Sequence, residues 1–286
     1  MISIQNRYNK YKLFINSFSL YLLANILQLS IGLIMNPIWA SNLSHKDYAI
    51  IGYFDSFSLL ILPLISFSLF SYYTKEYFHL NERERKNVLS TLLIFQLLFG
   101  FISMLILLGC FKIYFFKNNI TFPFFPYAVI TFFKIYVTNF FTFYTINLRL
   151  EKNAKRFFKI NVINIILNTI LVFIFVVILK KGAFGNMFAV LLSISAISIY
   201  SLFKQLNGLT FDKIVAKKAL SFCWPLVLSA ILTYFFTGFD KLLIEKLGDV
   251  RNFGLYNIGF KFASYFTIFT STINSTFESD FYEAIA

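Results

Sequence analysis

Eight apolar segments, each about long enough to cross a lipid bilayer, account for nearly the whole chain of 286 residues. A hydrocarbon core of about 30 Å requires about 20 mostly apolar residues in helical form. Each segment is continuously apolar rather than alternating, which favours helices over the strands of a membrane barrel. We therefore predict an all-α membrane protein, a polytopic bundle of about eight transmembrane helices. The predicted spans cover residues 13–39, 48–72, 88–111, 122–147, 157–179, 183–203, 220–247 and 253–277.

Composition argues against a water-soluble domain. Only 14% of the residues are charged and the mean hydropathy is +0.70, whereas an ordinary globular domain carries about 25% charged residues. The connections between the predicted spans are short, so no sizeable catalytic domain fits between them. The sequence also has no phosphate-binding loop, no His-Glu-x-x-His motif and no recognisable Ser/His/Asp arrangement. We therefore expect a protein that is not an enzyme and that needs no cofactor.

The net charge of +13 has to be interpreted from the positions of the cations. Sixteen of the 26 Lys and Arg residues precede the first predicted span or follow the second, fourth and sixth spans, and eight lie at the opposite ends. By the positive-inside rule, the amino terminus and the even-numbered turns are predicted to be cytoplasmic, as are both chain ends. The basic excess then reflects topology and attraction to anionic membrane lipids. Nucleic-acid binding is not expected.

Cysteine and histidine give little support to a disulfide or a metal site. Cys110 is expected near the outer end of the third span and Cys223 near the inner end of the seventh, so the two thiols cannot meet. His45 and His79 both fall in predicted loops. No cluster of metal-ligating residue types is visible in the sequence, and we predict no metal site.

The sequence predicts three parts: a six-helix bundle at 1–203, a cytoplasmic linker at 204–219, and the first two helices of an incomplete second bundle at 220–286. The linker contains an Asn207-Gly208 turn followed by apolar residues interspersed with lysines, a pattern typical of an interfacial amphipathic helix. A solvated linker is the alternative. Residues 17–75 align weakly with residues 221–280, as related halves of a transporter would. Chance similarity between two apolar hairpins also explains that alignment.

Three ionic residues fall deep within predicted spans, where a charge is costly and usually functional. Lys134 lies about ten residues, or about 15 Å, into the fourth span. We expect it to face a cavity; the alternatives are a structural ion pair or a span shifted by Pro123 and Pro126. Lys261 lies about 12 Å into the eighth span, where substrate contact and snorkelling to the interface are both open. Asp55 lies at a comparable depth in the second span, and we hypothesise that it faces Lys261 across the two bundles.

Two amide side chains stand out in the first span. Asn25 and Gln28 are three residues apart, which puts them on one face of a helix. Amides within membranes commonly bond neighbouring helices. The alternative is that they bind sugar hydroxyl groups of a substrate.

Several segments carry a family resemblance. FDKLLIEKLGDVRNFGLYNIGFK, residues 239–261, resembles the signature of polysaccharide flippases around their seventh and eighth helices. LSHKDYAIIGY at 43–53, NIILNTILVF at 164–173 and GAFGNMFA at 182–189 resemble the same family. These flippases belong to the MOP exporter superfamily. The resemblance covers essentially the whole chain.

The resemblance implies a MATE/MOP-like six-helix half followed by the first hairpin of a second half. It also implies a translocase that moves undecaprenyl-diphosphate-linked oligosaccharide units, of the O-antigen or capsule type, between leaflets of the bacterial inner membrane. Lys134 and Lys261 would hold the diphosphate, and a polysaccharide polymerase and chain-length proteins would be partners. Family members usually carry two related bundles, so this chain is expected to be a truncated form.

Asp240 resembles an acidic residue that the family places in its seventh helix. One role implied for it is coupling to protons or sodium ions, or gating, as for Asp55. The other role is structural, with Asp240 anchoring the adjacent turn against Lys246 or Arg251.

Three other functions stay open at this point. A MATE-like antiporter of drug or metabolite cations predicts a cavity in which acidic residues outweigh basic ones. A glycan-polymerising or ligating enzyme would normally show a large outer loop with catalytic residues, and the predicted outer turns are short. An inactive transporter fragment is the third. The sequence does not distinguish an ion gradient from consumption of product as the energy source.

Overall fold

The computed structural model describes residues 4–118, 120–206, 208, 210–247 and 250–285, with side chains described from Ser19 onward and with further gaps toward the carboxyl end. Within these residues the fold consists of helices and short connections, and no strand is present. The α-helices are α1 (Ile4–Asn42), α2 (His45–Ser66), α3 (Leu69–Glu76), α4 (Glu82–Lys117), α5 (Tyr127–Leu150), α6 (Ala154–Val172), α7 (Gly182–Gln205), α8 (Lys213–Thr237), α9 (Phe239–Leu247) and α10 (Val250–Ile285). A 3₁₀ turn covers Tyr77–His79, and a π-helical turn, Phe173–Ile178, extends α6.

Seven of the described helices are long and apolar enough to span a membrane: α1 from Ser19, α2, α4, α5, α6 with its π turn, α7 and α8 to Phe236. The eighth predicted span falls in α10, which has 36 residues but is not among the seven. The reason lies in its composition, because Asn257, Lys261 and a Ser/Thr-rich stretch at 264–276 dilute its apolar residues. The prediction of an all-α polytopic membrane protein is confirmed.

The exposed surface of α4 is apolar, as expected for a helix that contacts lipid. Leu98, Ile102, Ile106 and Ile113 form a stripe along the helix, and each is more than half exposed. Large apolar side chains in such a continuous stripe are unfavourable in water. In a bilayer they contact acyl chains, so this stripe supports membrane embedding independently of hydropathy.

Two predicted spans are interrupted by the backbone. The predicted span 48–72 breaks between α2 and α3, where Phe67 and Ser68 both adopt the left-handed conformation with φ of 49° and 51°. The predicted span 220–247 divides at Gly238, which separates α8 from α9. Both breaks lie within apolar sequence, so hydropathy alone gives no sign of them.

The connection between α7 and α8 is shorter than the predicted linker. Asp212 caps α8 by accepting hydrogen bonds from the backbone N–H groups of Ile214 and Val215, so the spanning helix already begins at Lys213. Residues 213–219, expected to form an interfacial helix or a solvated linker, are therefore its first turns. Ser90 of α4 holds the connection by donating to the carbonyl oxygen of Gly208 at 2.9 Å. The division into units 1–203, 204–219 and 220–286 stays a prediction.

The turns at 43–44, 120–126 and 179–181 lie at one end of the bundle. We call this the outer end, a label defined by these turns alone. The turns at 77–81, 151–153 and 210–212 lie at the other end, the basic end. At the outer end α2 and α10 pack closely. A Cβ atom on Gly52 would come within 2.1–2.3 Å of the Asn257 side chain, and one on Gly254 within 2.4 Å of the carbonyl oxygen of His45. The approach therefore requires glycine at position 254, whereas at position 52 a larger residue would force the Asn257 side chain to move. At the basic end, Lys152 and Glu283 form an ion pair at 2.5 Å that links the α5–α6 turn to α10.

Asp47 ties α2 to α7 at the outer end. Its carboxylate accepts from the backbone N–H of Ser44 at 2.9 Å and from that of Ala183 at 2.7 Å. The first bond closes the capping box of α2, and the second satisfies a free N–H at the start of α7.

We expect Asp47→Ala to lower the stability of the purified protein by about 1–3 kcal/mol, because it leaves two backbone donors without their charged acceptor. Thermal unfolding in detergent measures the effect. Lys46→Ala, at the exposed neighbouring position, should change stability by no more than about 0.5 kcal/mol. Equal melting temperatures for both variants would contradict the role given to Asp47.

Candidate functional site

A polar cavity of about 410 Å³ lies inside the bundle, between α1, α5, α6, α7 and α10. Its lining includes two lysines, three hydroxyl residues and six amides, but no carboxylate among the described lining residues. The polar lining residues are Gln28, Asn36, Lys134, Thr138, Asn161, Asn164, Asn168, Thr169, Asn186, Ser193 and Lys261. Within a membrane protein, such a concentration of polar groups marks a path or site for a polar ligand.

One face of α6 supplies half of the amides. Asn161, Asn164 and Asn168 are spaced three and four residues apart, so they share that face. Asn168 is held by the Ser193 hydroxyl of α7, which donates to Asn168 Oδ1 at 3.2 Å. Asn164 Oδ1 is buried and has no hydrogen-bond partner among the described residues. A buried acceptor in a cavity wall is available to a ligand that brings a donor, such as a hydroxyl group.

Lys134 forms the ionic centre of the site. Its Nζ lies 2.8 Å from Asp55 Oδ1 of α2, and the two side chains are 22% and 46% exposed. Lys241 and Lys261 lie close enough to Asp55 to feel its charge, and Asp240 also acts on Lys241. Two carboxylates therefore face three lysines in this region of the bundle.

Lys261 links the cavity to a smaller, mostly apolar slit. Its ammonium lies 5.5 Å from the centroid of the Trp39 ring, a cation–π contact between α10 and α1. Lys261 and Asn36 line both the cavity and the slit, which has a volume of about 190 Å³ and runs between α1 and α10. The slit wall is formed by Leu33, Pro37, Ala40, Tyr48, Ile258 and Phe262. A cationic centre therefore adjoins an apolar passage.

The structure brings together three of the four residues predicted to bind substrate. Lys134, Lys261 and Gln28 line the cavity, whereas Asn25, half-buried one turn earlier on α1, is not among the described lining residues. Because α5 begins at Tyr127, after Pro126, Lys134 lies about 10 Å into its helix rather than about 15 Å. Whether these residues bind substrate stays a prediction.

The expected pairing of Asp55 with Lys261 differs from what the structure contains. The direct partner of Asp55 is Lys134, and Lys261 interacts with Asp55 only at longer range. The two alternatives for Lys134, a cavity-facing cation and an ion pair, are both present. Helix packing explains this, because α2 lies beside α5 as well as α10 and Lys134 reaches Asp55 across that contact.

Asp240 has a partner that the sequence did not suggest. Its Oδ2 accepts a hydrogen bond from the hydroxyl group of Tyr256, which joins α9 to α10. The neighbouring Lys241 is buried, with its ammonium 3.7 Å from the centroid of the Phe260 ring. The anchoring contact of Asp240 is thus made to α10, and its proposed part in ion coupling or gating stays a prediction.

Asn161, Asn164, Asn168 and Asn186, called here the amide wall, line the cavity from α6 and α7, and sequence reasoning did not identify them as a site. Asn164, Asn168 and Asn186 fall within segments recognised only for their family resemblance, and Asn161 was not singled out. The signal that could have found them is the spacing of Asn161, Asn164 and Asn168 on one helical face in an otherwise apolar span.

Comparisons with known proteins identify a family and a shared fold. A family profile described as "Polysaccharide biosynthesis protein" matches residues 79–282. Three solved structures share the fold: MATE in complex with MaD3S, a proline-to-alanine mutant of MATE, and MATE in complex with MaD5, with TM-scores of 0.59, 0.64 and 0.62. The sequence of each is 18% identical to this chain. The three alignments cover 93%, 93% and 95% of this chain, which spans 66% of the length of each MATE structure. No curated protein sequence matches the chain.

Fold and site together define a multi-pass helical membrane protein with the MATE fold. The family profile covers well over half of the sequence. The chain therefore belongs to the family described as polysaccharide biosynthesis proteins. The family resemblance identified in the sequence is confirmed.

Proposed function

We propose that this protein translocates polyprenyl-diphosphate-linked oligosaccharides from the cytoplasmic to the periplasmic leaflet of the bacterial inner membrane by alternating access. The observation that carries the proposal is the cavity lined by Lys134, Lys261 and an amide wall, with an apolar slit at its side. The substrate would be an undecaprenyl-diphosphate carrier with an O-antigen or capsule repeat unit. Both chain termini would be cytoplasmic, with the basic end of the bundle facing the cytoplasm.

Each part of such a substrate has a chemical counterpart in the site. A diphosphate that leaves water needs cationic partners, because an unpaired charge is very costly in a medium of low dielectric constant. Lys134 and Lys261 supply them. The sugar hydroxyl groups can donate to Asn164 Oδ1 and exchange hydrogen bonds with the other amides. The polyprenyl chain can remain in contact with lipid through the slit between α1 and α10.

A MATE-like antiporter for organic cations is the second candidate, and the shared fold is the observation that favours it. Such a carrier needs anionic groups to bind its substrate. The described cavity lining contains two lysines and no carboxylate. Asp55, the nearest acidic group, is already paired with Lys134. The charge of the cavity therefore favours an anionic substrate.

The decisive experiment is complementation of a bacterium that lacks its own flippase, with surface polysaccharide as the readout. The chain would be expressed alone and, in parallel, extended by the reading frame that follows it, because it spans 66% of the length of the MATE structures. Membrane levels are measured by immunoblotting. Restored surface glycan with either version supports the proposal. Stable insertion of both without any glycan, or export of cationic drugs by either, counts against it.

The amide wall gives a more local test. We expect Asn164→Leu to weaken the apparent affinity for lipid-linked oligosaccharide about 2–10-fold, because one hydrogen bond worth about 0.5–1.5 kcal/mol is lost. Uptake of a labelled substrate into proteoliposomes measures it. Ile166→Leu, at an exposed position on the same helix, serves as the matched control. Identical affinities for the two variants would exclude Asn164 from the binding site.

A further inference from the structure

A second pocket, separate from the central cavity, lies at the basic end between the start of α6 and the end of α7. It has a volume of about 500 Å³. Arg156 and Lys159, in the first two turns of α6, and Lys204, in the last turn of α7, line its entrance with exposed side chains. No acidic residue is among the described lining residues. We call these three cations the basic triad.

The inner part of this pocket is apolar. Ile160 and Ile197 are buried in one hydrophobic cluster with Tyr144 of α5, and Ile163 continues the apolar wall one turn further along α6. Ile163 lies about 10 Å along the helix axis from Arg156. The lining of the pocket therefore changes from cationic side chains at the basic end to aliphatic side chains nearer the middle of the membrane. This change takes place over a distance similar to that of a lipid headgroup and its first acyl carbons.

The charge of the basic triad is not neutralised within the described part of the chain, where none of its members forms an ion pair. Glu151, on the adjoining cleft, accepts a hydrogen bond from Asn147 at 2.7 Å instead. The first turn of α6 also contains no acidic residue, so the positive end of the helix dipole adds to the field. Lys204 lies 6.0 Å from the centroid of the Tyr200 ring, which limits the directions its side chain can take.

We propose that this pocket is a specific binding site for an anionic phospholipid of the leaflet at the basic end. The basic triad binds the phosphate, and the first part of one acyl chain lies along Ile160, Ile163 and Ile197. The complementarity is twofold, because cations meet phosphate at the boundary and branched aliphatic side chains meet hydrocarbon below it. Lys and Arg side chains near an anionic membrane surface are attracted to it, and a pocket that also holds the acyl chain adds selectivity for a lipid over a free anion.

This site is distinct from the cavity of the proposed function and does not depend on it. The pocket and the cavity share no described lining residue, and at about 100° per residue Arg156, Lys159 and Ile163 lie about 80–160° around α6 from Asn161 and Asn164. Substitutions in the basic triad therefore leave the amide wall untouched. Lipid binding and transport can fail separately and be told apart.

The test measures lipid retained by the full chain in nanodiscs of phosphatidylcholine with increasing phosphatidylglycerol, read by native mass spectrometry. The triple variant R156Q/K159Q/K204Q is compared with K155Q/K217Q/K218Q, which removes three exposed charges from the same end but outside the pocket. We expect the first variant to weaken phosphatidylglycerol binding about 10–100-fold and the second less than about twofold. Equal losses would reduce the effect to general surface attraction and overturn the proposal.

Two further measurements in the same experiment define the ligand. Inorganic phosphate at millimolar concentration should not displace phosphatidylglycerol, and Ile163→Asn should weaken lipid binding while leaving the basic triad in place. Displacement by inorganic phosphate alone would overturn the role of the acyl chain. Displacement by equimolar undecaprenyl diphosphate would assign the pocket to the transport substrate instead and overturn the phospholipid assignment. If the triple variant fails to fold, Lys204→Gln alone should still lower phosphatidylglycerol binding measurably, and no change in that variant counts against the site.

Discussion

Lys134→Gln is expected to reduce transport of lipid-linked oligosaccharide about 10–100-fold at an unchanged level of protein in the membrane. Hydrogen bonds to charged groups contribute about 1.5–3 kcal/mol, and a diphosphate inside the bundle depends on them more than a solvated one does. The substitution also leaves Asp55 without its partner at 2.8 Å. The cavity then presents a carboxylate where the proposed substrate carries negative charge, so repulsion adds to the lost contact.

A charge exchange separates substrate binding from a purely structural ion pair. In the double variant Lys134→Asp with Asp55→Lys, the pair is kept but the cation leaves the wall of the cavity. If Lys134 binds the diphosphate, the exchange should restore the amount of folded protein without restoring transport. Recovery of both in a proteoliposome assay, with thermal stability measured in parallel, would reduce Lys134 to a structural role. Lys134→Arg, which keeps the charge, is the matched control and should retain most of the activity.

The architecture was predictable because the bilayer fixes the length of a membrane helix. Hydrocarbon allows few backbone conformations, and continuous apolar segments of about 20 residues therefore translate directly into helices. Hydropathy does not reveal where a helix breaks within such a continuous apolar segment. Phe67 and Ser68 adopt left-handed backbone conformations within apolar sequence, and only packing against α8 makes that break understandable. Cys223 of α8, for example, donates to the carbonyl oxygen of Ser68 at 3.4 Å.

The ionic residues could be found from sequence but their partners could not. A charge within a span is conspicuous in an apolar composition, so Asp55, Lys134 and Lys261 were all recognised. Their pairing depends on which helices are neighbours, and Lys134 and Asp55 are 79 residues apart. The weak repeat suggested Lys261 as the partner because it relates α2 to α10. Those helices do pack together, but their closest approach is made by Gly52 and Gly254 nearer the outer end.

The amide wall illustrates a different limit. Asn161, Asn164 and Asn168 are visible as a polar face of α6, but a polar face has several explanations in a membrane helix, including contact with a neighbouring helix. Its meaning emerges only when α1, α5, α7 and α10 enclose the space in front of it. A cavity is a property of the packed bundle and is not encoded at any one position.

Cross-linking α2 to α10 at the outer end is expected to stop transport completely and reversibly. In alternating access the two halves must separate on one side of the membrane while they close on the other. Gly52 and Asn257 are in contact at this end, since a Cβ atom at position 52 would meet the Asn257 side chain. A Cβ atom at position 52 would lie 2.1 Å from Asn257 Cγ, which is one bond from the Cβ atom of residue 257. The Cβ atoms of two cysteines would therefore lie within about 3.6 Å, at the short end of the range for a disulfide, and the smaller side chain at 257 relieves the overlap.

The experiment uses Gly52→Cys with Asn257→Cys in a background where Cys110 and Cys223, both free thiols, are replaced by serine. Oxidation should abolish transport in proteoliposomes, and reduction should restore it. The single variant Asn257→Cys, given the same oxidant, and the double variant kept reduced are the controls and should both transport; Gly52→Cys alone is not a control, because its Cβ atom would meet the Asn257 side chain. A fully oxidised double variant that transports at the unmodified rate would mean that α2 and α10 stay together throughout the cycle, and the substrate would then need a route that does not open the outer end between them.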